Sequence, residues 1–202
     1  GDERARARDD HTHAWYAAAV KLHVIAVSTR PGRNGIHIAR WVDALARDHG
    51  KFEVALVDLA EVNLPLMDEP NHPRLRQYTK DHTKAWSATV DAADAFVFVA
   101  PEYNYSMAPS LVNAVDYLQQ EWKYKAAGIV SYGGVSGGLR ATQMAKQLLT
   151  AVGIMPAADV PIPMFTQFLI DGKWTPNEIM IKSVGTMLDE VFKWATATKT
   201  LR

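Results

Sequence analysis

Short apolar runs alternate along the chain with stretches in which apolar residues recur every three or four positions. The clearest runs lie at 21–28, 52–59, 94–100 and 126–132, and a weaker one lies within 154–162. Short and continuously apolar runs of this kind are typical of strands that are buried on both faces. The pattern therefore predicts five buried strands.

The stretches between the runs have the spacing of helices that bury one face. Ile38, Val42 and Leu45 fall on one side of a helix after the first run, and Gly50 then provides a stop signal. Similar spacing predicts further helices over 73–92, 111–118, 141–152 and 184–191. Every predicted strand is thus followed by a predicted helix.

This alternation predicts an α/β fold, with a parallel sheet between two layers of helices. Five strands suit the flavodoxin-like three-layer α/β/α architecture, in which the strand order is 2-1-3-4-5. We expect this domain to span residues 21–202, preceded by a poorly ordered N-terminal extension of residues 1–20.

Ligands of such folds bind outside the carboxyl ends of the strands, near the switch between the first and third strands. The loops that follow the first, third and fourth predicted strands, at 28–36, 100–109 and 131–140, lie at that edge. These loops also have the most unusual composition, since they concentrate arginine, tyrosine and glycine. The sequence therefore predicts one ligand site that the three loops build together.

The composition excludes several classes of function. Of the 202 residues, 48% are hydrophobic, which suits one domain with a sizeable core. The 22 basic and 22 acidic side chains balance, so we expect no nucleic-acid or membrane partner. The chain has no cysteine, which excludes disulfides, thiolate metal sites and cysteine nucleophiles. We expect no metal site and a cytoplasmic location, with which the lack of cysteine is compatible.

The loop STRPGRNGI at 28–36 joins the first strand to the first helix. Backbone N–H groups and the helix dipole make that position attractive to a phosphate, and Ser28, Arg30 and Arg33 add a hydroxyl and two charges. The loop has neither a Gly-Lys-Ser/Thr ending nor a G-x-G-x-x-G pattern. A single terminal phosphate, as in flavin mononucleotide (FMN), therefore fits better than a pyrophosphate. The alternative is an ordinary polar turn with two solvated arginines.

The loop PEYNYSMAP at 101–109 combines flat aromatic faces with hydrogen-bonding groups. Tyr103 and Tyr105 offer faces to a ring system, and Asn104 offers directional hydrogen bonds. Glu102 is either a general base or, as we favour, an acid that holds the loop by accepting backbone N–H bonds. The tyrosines have the alternative role of packing against a neighbouring subunit, which is compatible with a ligand at a subunit interface.

The loop SYGGVSGGLRA at 131–141 is rich in glycine and poor in side chains. Such a loop lets main-chain N–H groups reach the edge of a planar ligand. The alternative is a flexible linker, but the position between a buried strand and a helix argues against it.

Together the three loops resemble the NADPH-dependent FMN reductase family, which includes flavodoxin-like quinone, azo and chromate reductases. The resemblance is carried by STRPGRNG, PEYNYSMAPSLVNAVDYL and SYGGVSGGLRA, and it covers residues 21–165. It implies bound FMN with its phosphate on Ser28, Arg30, Arg33, Asn34, Gly35 and Ile36. It places the isoalloxazine ring against Pro101, Glu102, Tyr103 and Asn104, and the pyrimidine end of that ring against Ser131, Tyr132, Gly133 and Gly134. Many members carry serine where this chain has Arg33, which suggests a phosphate held more by charge than by hydroxyls.

The resemblance further implies hydride transfer from NADH or NADPH to flavin N5, and on to a quinone, a free flavin, an azo compound or a similar small-molecule acceptor. No catalytic side chain is then required, because the flavin carries the reaction. A homodimer or homotetramer with the flavin near the subunit interface is also implied. Three other functions stay open here: a non-enzymatic electron carrier, a flavin supplier for a separate monooxygenase, and a redox-sensing flavin-binding module.

Overall fold

A computed structural model describes residues 19–202 of the chain. Residues 1–18 of the predicted N-terminal extension lie outside the described residues, and the predicted domain boundary after residue 20 stays a prediction. Val20, the last residue of that extension, begins the first strand. Within residues 19–202, every helix falls short of the length and apolar character that a membrane crossing requires.

A six-stranded sheet forms the centre of the domain. Its strands are β1 (Val20–Ala26), β2 (Phe52–Asp58), β3 (Ala95–Tyr103), β4 (Ser106–Met107), β5 (Ala126–Tyr132) and β6 (Met155–Ile162). The long strands are parallel and lie in the order β2-β1-β3-β5-β6, while β4 pairs antiparallel with the end of β3. The predicted α/β fold and the predicted order of the five long strands are confirmed.

Helices cover both faces of this sheet. They are α1 (Gly35–Asp48), α2 (Leu59–Val62), α3 (Asp81–Asp91), α4 (Pro109–Asp116), α5 (Leu139–Ala151) and α6 (Glu178–Thr198). On one face, Val42 of α1 and Val184 of α6 belong to the same buried cluster as Val24 of β1. On the other face, a second cluster contains Trp86 of α3 and Leu149 of α5, together with buried residues of α4. The helices and the sheet therefore form three layers with two cores.

The strand β3 shows why the strands are continuously apolar in sequence. Its residues Val97 and Val99 belong to the first cluster, whereas Phe96 and Phe98 belong to the second. Because helices cover both faces, the central positions of the strand are all buried and all apolar.

The predicted helix over 73–92 is wrong in its N-terminal part. A short 3-10 helix covers Pro73–Leu75, and α3 begins only at Asp81. Between them Arg76 has a left-handed backbone with φ 52°, which a helix does not allow. The Glu69 carboxylate accepts the backbone N–H groups of the two residues before α3 at 2.8 to 3.1 Å. This contact from the preceding loop sets the start of α3, and helical spacing does not reveal it.

The strand β3 extends beyond the strand end predicted at residue 100. Pro101 lies opposite Tyr132 of β5, and the strand continues to Tyr103, which pairs with β4. Asn104 and Tyr105 then form a two-residue turn with φ 49° and 65°. Two successive positive φ values are typical of a type I′ hairpin turn. The predicted loop is thus mostly a short hairpin that projects from the sheet edge.

A second hairpin follows β6, and the sequence does not predict it. Its strands are β7 (Leu169–Ile170) and β8 (Lys173–Trp174), joined by a turn that begins at Asp171. Trp174 packs against Trp41 of α1, with ring centroids 5.8 Å apart. Strands of two residues give no periodic signal, so the hairpin depends on tertiary packing of this kind.

Candidate functional site

A cavity of about 280 Å³ opens at the carboxyl edge of the sheet. Its wall combines the loop after β1, the end of β3 and the loop after β5, which are the three segments that the sequence predicts. The predicted site residues in this wall are Ser28, Arg30, Arg33, Asn34, Pro101, Glu102, Tyr103, Tyr132, Gly133 and Gly134. Gly32 and Phe165 also line the cavity.

The N-terminus of α1 provides unused hydrogen-bond donors at one end of this cavity. Asn34 is the N-cap residue of α1 and lines the cavity, but its side chain makes no capping hydrogen bond. The first N–H groups of a helix have no partner inside the helix, and within residues 19–202 those of Gly35 and Ile36 find none elsewhere. These donors and the helix dipole favour an anion at this position.

The two arginines of the first loop differ in their partners. Arg33 forms an ion pair with Asp58 at the end of β2, and the Asp58 side chain is only 6% exposed. The Arg33 Nε atom is buried and has no hydrogen-bond partner among the described residues. Arg30 is exposed and, in the part of the chain that the structure describes, makes no ion pair. Arg30 is therefore the uncommitted cation of the loop, whereas Arg33 is paired with Asp58.

Three hydroxyl groups lie next to these arginines. The Ser28 Oγ atom is 2.7 Å from the Tyr103 Oη atom, and Ser28 is buried. Burial raises the pKa of the Tyr132 phenol and the nearby Tyr103 oxygen raises it further, while the Ser28 hydroxyl and Arg33 act in the opposite direction with a smaller effect. The Tyr132 phenol is therefore neutral at physiological pH and keeps a proton that it can donate.

The Glu102 carboxylate is engaged in holding the segment that follows β5. Its oxygens accept hydrogen bonds from Ser136 Oγ at 3.0 and 3.1 Å, from the Arg140 backbone N–H at 3.1 Å and from Arg140 Nε at 2.7 Å. Burial raises the pKa of this carboxyl, but hydrogen bonds from Arg140, Ser136 and the Ala141 N–H outweigh burial and leave the pKa below its ordinary value. An ionised carboxylate with this many donors is suited to holding the loop, the role that we favour from the sequence, and unsuited to general base catalysis.

The glycine-rich loop at 133–138 is folded tightly against its neighbours. At Gly138, where φ is 85°, an added Cβ atom would lie 2.7 Å from the Ser131 Cβ atom. The Gly134 carbonyl accepts the backbone N–H of Met164 at 2.8 Å, which ties the loop to the segment after β6. Close packing and this hydrogen bond do not fit the alternative of a flexible linker.

The sequence profile of the NADPH-dependent FMN reductases matches residues 20–167 of the chain. The chain belongs to this family. The predicted membership is thus confirmed, and with it the dependence of this oxidoreductase on FMN and NAD(P)H.

Individual relatives of the FMN reductase support this assignment. An NAD(P)H-dependent FMN reductase of Schizosaccharomyces pombe is 38% identical over 157 residues, which cover 75% of this chain and 78% of that protein. A probable NADPH:quinone oxidoreductase of Oryza sativa is 44% identical over 68 residues, which cover 32% of this chain and 34% of that protein. The structure of an NAD(P)H:(acceptor) oxidoreductase from Paracoccus denitrificans has a TM-score of 0.72 at 23% identity, covers 89% of this chain and 99% of that chain, and supports the fold.

The residues at the α1 end of the cavity fit the phosphate of an FMN reductase cofactor. A phosphate needs several donors and positive charge, and the Gly35 and Ile36 N–H groups supply the first while Arg30 and Arg33 supply the second. The remaining wall contains the Tyr103 and Tyr132 side chains and the backbone of Gly133 and Gly134, which can contact a planar ring system.

Two predicted site residues of the FMN reductase lie behind the cavity wall. The Ser131 Oγ atom donates to the Gly137 carbonyl at 2.8 Å and is buried, so the side chain holds the glycine-rich loop. Gly35 lies directly against Tyr132, and an added Cβ atom would be 2.0 Å from the Tyr132 Oη atom. Glycine is therefore required at position 35 for the Tyr132 phenol to reach the N-terminus of α1.

Ile36 and Asn104 also lie outside the wall. The Ile36 side chain packs against the core, so only its backbone N–H is free. Asn104 is in the hairpin turn with Tyr105, which is 68% exposed, and the Arg140 guanidinium lies 3.6 Å from the centre of the Tyr105 ring. The turn is therefore not part of the cavity wall.

Phe165 lines the cavity of the FMN reductase and was not predicted. Its ring centroid is 5.1 Å from that of Tyr132, in an edge-to-face arrangement. Its backbone N–H donates to the Gly133 carbonyl at 3.3 Å. Phe165 follows β6. Ligands of such folds bind outside the carboxyl ends of the strands, and the same rule applied to β6 predicts a site residue here.

A second cavity of about 370 Å³ lies beyond Thr29, on the α4 side of the first loop. Its wall includes Leu59, Leu64 and Asn113, and no charged side chain of the described residues lines it. None of the predicted site residues contributes to this wall. A cavity without charge does not suit a phosphate, whereas the smaller cavity is lined by Arg30 and Arg33.

Proposed function

We propose that the smaller cavity holds FMN with its phosphate at the N-terminus of α1. The observation that carries the proposal is the coincidence of donors and positive charge at one place: two backbone N–H groups and Arg30 without partners among residues 19–202, together with Arg33 in the cavity wall. Asn34 and Ser28 lie beside them and can add an amide and a hydroxyl. The ring system would lie along Pro101 to Tyr103 and reach the glycine-rich loop.

The roles of the chain in this proposal are binding and orientation. When bound, FMN supplies the chemistry that accepts a hydride from NAD(P)H and passes reducing equivalents to the acceptor. Pro101 and Tyr103 would hold the ring system, and the backbone at Gly133 and Gly134 would contact its pyrimidine end. Glu102 is saturated with hydrogen bonds and holds this wall together. No side chain is required as a base.

The acceptor that we propose is a quinone, a free flavin, an azo compound or a similar small molecule. The names of the relatives support this range, since they include FMN reductases and quinone oxidoreductases. NADH and NADPH both remain candidate donors. A non-enzymatic electron carrier would bind FMN in the same way but would not oxidise either nucleotide at a useful rate.

We further propose a homodimer or homotetramer with the flavin near the subunit interface. Large apolar side chains around the carboxyl edge are exposed, among them Leu66 at 86%, Val135 at 88% and Tyr105 at 68%. Exposed apolar residues that form a patch are typical of association surfaces. Light scattering of the purified protein tests the oligomeric state.

The cytoplasmic location is a proposal too, and fractionation of the source cells tests it.

Two measurements on the purified protein test the proposed function. We expect the protein to bind FMN in a titration followed by flavin fluorescence, and the FMN-loaded protein to oxidise NADPH or NADH in the presence of a quinone. Binding without oxidation would favour the electron carrier or the redox-sensing module. A folded protein that binds no FMN would contradict the proposal.

A further inference from the structure

Arg33 lies between two groups that both require its positive charge. Its terminal nitrogen pairs with the Asp58 carboxylate, and Arg33 also lines the cavity at the proposed phosphate position. The Arg33 side chain is 21% exposed and the Asp58 side chain 6%, so water screens this ion pair only in part. Asp58 itself is not part of the cavity wall.

The Asp58 carboxylate is held in place from its other side. Asp58 is the N-cap residue of α2, and its Oδ1 atom accepts the backbone N–H of Ala60 at 3.0 Å. Its Oδ2 atom faces Arg33. Since the cap fixes the carboxylate, Asp58 keeps its place whether or not an anion binds at the N-terminus of α1.

The ion pair with the fixed Asp58 carboxylate lowers the contribution that Arg33 can make to anion binding. The charges of Arg33 and Asp58 cancel, which leaves Arg30 and the helix end as the net positive groups at the proposed phosphate position. A ligand gains affinity only from interactions that the free protein has not already made. The Asp58 carboxylate already accepts a hydrogen bond from Arg33 and offsets its charge. The phosphate therefore gains less binding free energy from Arg33 than it would from an unpaired arginine.

We propose that Asp58 competes with the flavin phosphate for Arg33 and thereby limits the affinity of the protein for FMN. The proposal rests on the proposed function, since it assumes that the phosphate lies at the N-terminus of α1. It assigns to Asp58 the role of a residue that acts through Arg33, without touching the cofactor.

The test compares FMN binding by wild-type protein and by Asp58→Asn. Asparagine has nearly the same size and retains an oxygen that can accept the Ala60 N–H, but it removes the negative charge. We expect the dissociation constant for FMN, measured by fluorescence titration of the flavin-free protein, to fall about tenfold, which corresponds to about 1.4 kcal/mol. We also expect a lower Tm of the flavin-free variant and a larger increase in Tm when FMN is added.

The matched control is Asp43→Asn. Asp43 forms an ion pair with Arg47 on the same helix α1, and the Arg47 side chain is 54% exposed. This substitution makes the same change in net charge but leaves Arg33 paired, so the dissociation constant for FMN should stay within about twofold of wild type at 0.15 M salt.

Asp58→Asn in an Arg33→Gln background shows whether Asp58 acts through Arg33. We expect the tenfold gain to fall to about twofold or less when Arg33 is absent. The same gain in both backgrounds would overturn the proposal, because Asp58 would then act by direct repulsion of the phosphate. Unchanged or weaker FMN binding by Asp58→Asn would overturn it too. If this variant does not fold, Asp58→Ser, which also keeps a capping oxygen, replaces it with the same expected result.

These outcomes are distinct from failure of the proposed function. If the folded wild-type protein binds no FMN, the proposed function is wrong and the competition has no basis. If the wild-type protein binds FMN and Asp58→Asn binds it no more tightly, the proposed function stands and only the inference about Asp58 is wrong.

Discussion

The Glu102 carboxylate accepts hydrogen bonds from both the backbone and the side chain of Arg140, at 3.1 and 2.7 Å. Glu102 lies at the end of β3 and Arg140 is the second residue of α5, so this contact fixes one cavity wall to the next helix. The Arg140 guanidinium also covers one face of Tyr105 at the hairpin turn. A single carboxylate therefore positions both the wall of the proposed FMN site and the hairpin turn.

We expect Glu102→Gln to lower the stability of the protein without removing a catalytic base. Glutamine has one acceptor oxygen and cannot accept all of the hydrogen bonds that the Glu102 carboxylate accepts. The free energy of unfolding at pH 7 should therefore fall by about 1–3 kcal/mol. The rate of NAD(P)H oxidation per bound flavin should change little. Urea unfolding measures the first quantity and steady-state kinetics the second. A rate that falls by orders of magnitude at full flavin occupancy would contradict the holding role.

The acid dependence of stability gives a further check on Glu102. Because its pKa is lowered in the folded protein, this carboxyl contributes stability above its ordinary pKa, and the contribution is lost as the pH falls through the folded-state pKa. We therefore expect the stability difference between wild type and Glu102→Gln to be full at pH 7 and to shrink in acid. A difference that does not vary with pH would contradict the assigned ionisation.

Arg30→Ala should weaken FMN binding strongly. Arg30 is the uncommitted cation at the proposed phosphate position, and hydrogen bonds to charged groups contribute about 1.5–3 kcal/mol. The dissociation constant for FMN should rise about 10- to 100-fold. Arg74→Ala is the control, since Arg74 is an exposed arginine on the 3-10 helix outside the cavity wall. Equal affinities of the two variants would remove Arg30 from the site.

Gly35→Ala should disrupt the junction between β5 and α1. The new Cβ atom would lie 2.0 Å from Tyr132 Oη and 2.8 Å from Tyr132 Cζ, so the ring must move. Overpacking of this kind costs about 1–3 kcal/mol of stability. Adding Tyr132→Phe removes the closest atom and should restore part of the stability and part of the FMN affinity. No improvement on adding Tyr132→Phe would mean that the clash is not with the phenol.

Phe165→Ala should weaken FMN binding, because Phe165 lines the cavity and packs edge-to-face on Tyr132. An aromatic pair of this kind contributes about 0.5–1.5 kcal/mol beyond its buried area. Phe168→Ala is a matched control, since Phe168 packs against Trp174 and not in the cavity wall. Both variants should lose stability, measured by thermal unfolding, but only Phe165→Ala should lose FMN affinity. An equal loss of affinity in both would indicate a general effect of destabilisation.

The strands and the location of the site could be predicted because both follow from local patterns. Strands covered on both faces have to be continuously apolar, as Phe96 to Val99 show, and a parallel sheet places its loops at one edge. The three loops of unusual composition therefore meet at the carboxyl edge of the sheet. Once the order of the strands is known, the cavity between Ser28, Tyr103 and Tyr132 follows from topology.

The partners of individual side chains could not be predicted, because they come from distant parts of the chain. Arg33 lies in the loop before α1 and Asp58 ends β2, and nothing in the sequence indicates that they pair. The contact of Glu102 with Arg140 joins the end of β3 to the start of α5 in the same way. The break at Arg76 also depends on a tertiary contact that spacing does not encode.

The measurement that tests the central claim most directly is the visible spectrum of the FMN-loaded protein during one cycle of reduction and oxidation. We expect the flavin absorption to bleach when NADPH or NADH is added without oxygen and to return when a quinone is added. A folded protein that retains no flavin, or a bound flavin that neither nucleotide reduces above background, would contradict the account.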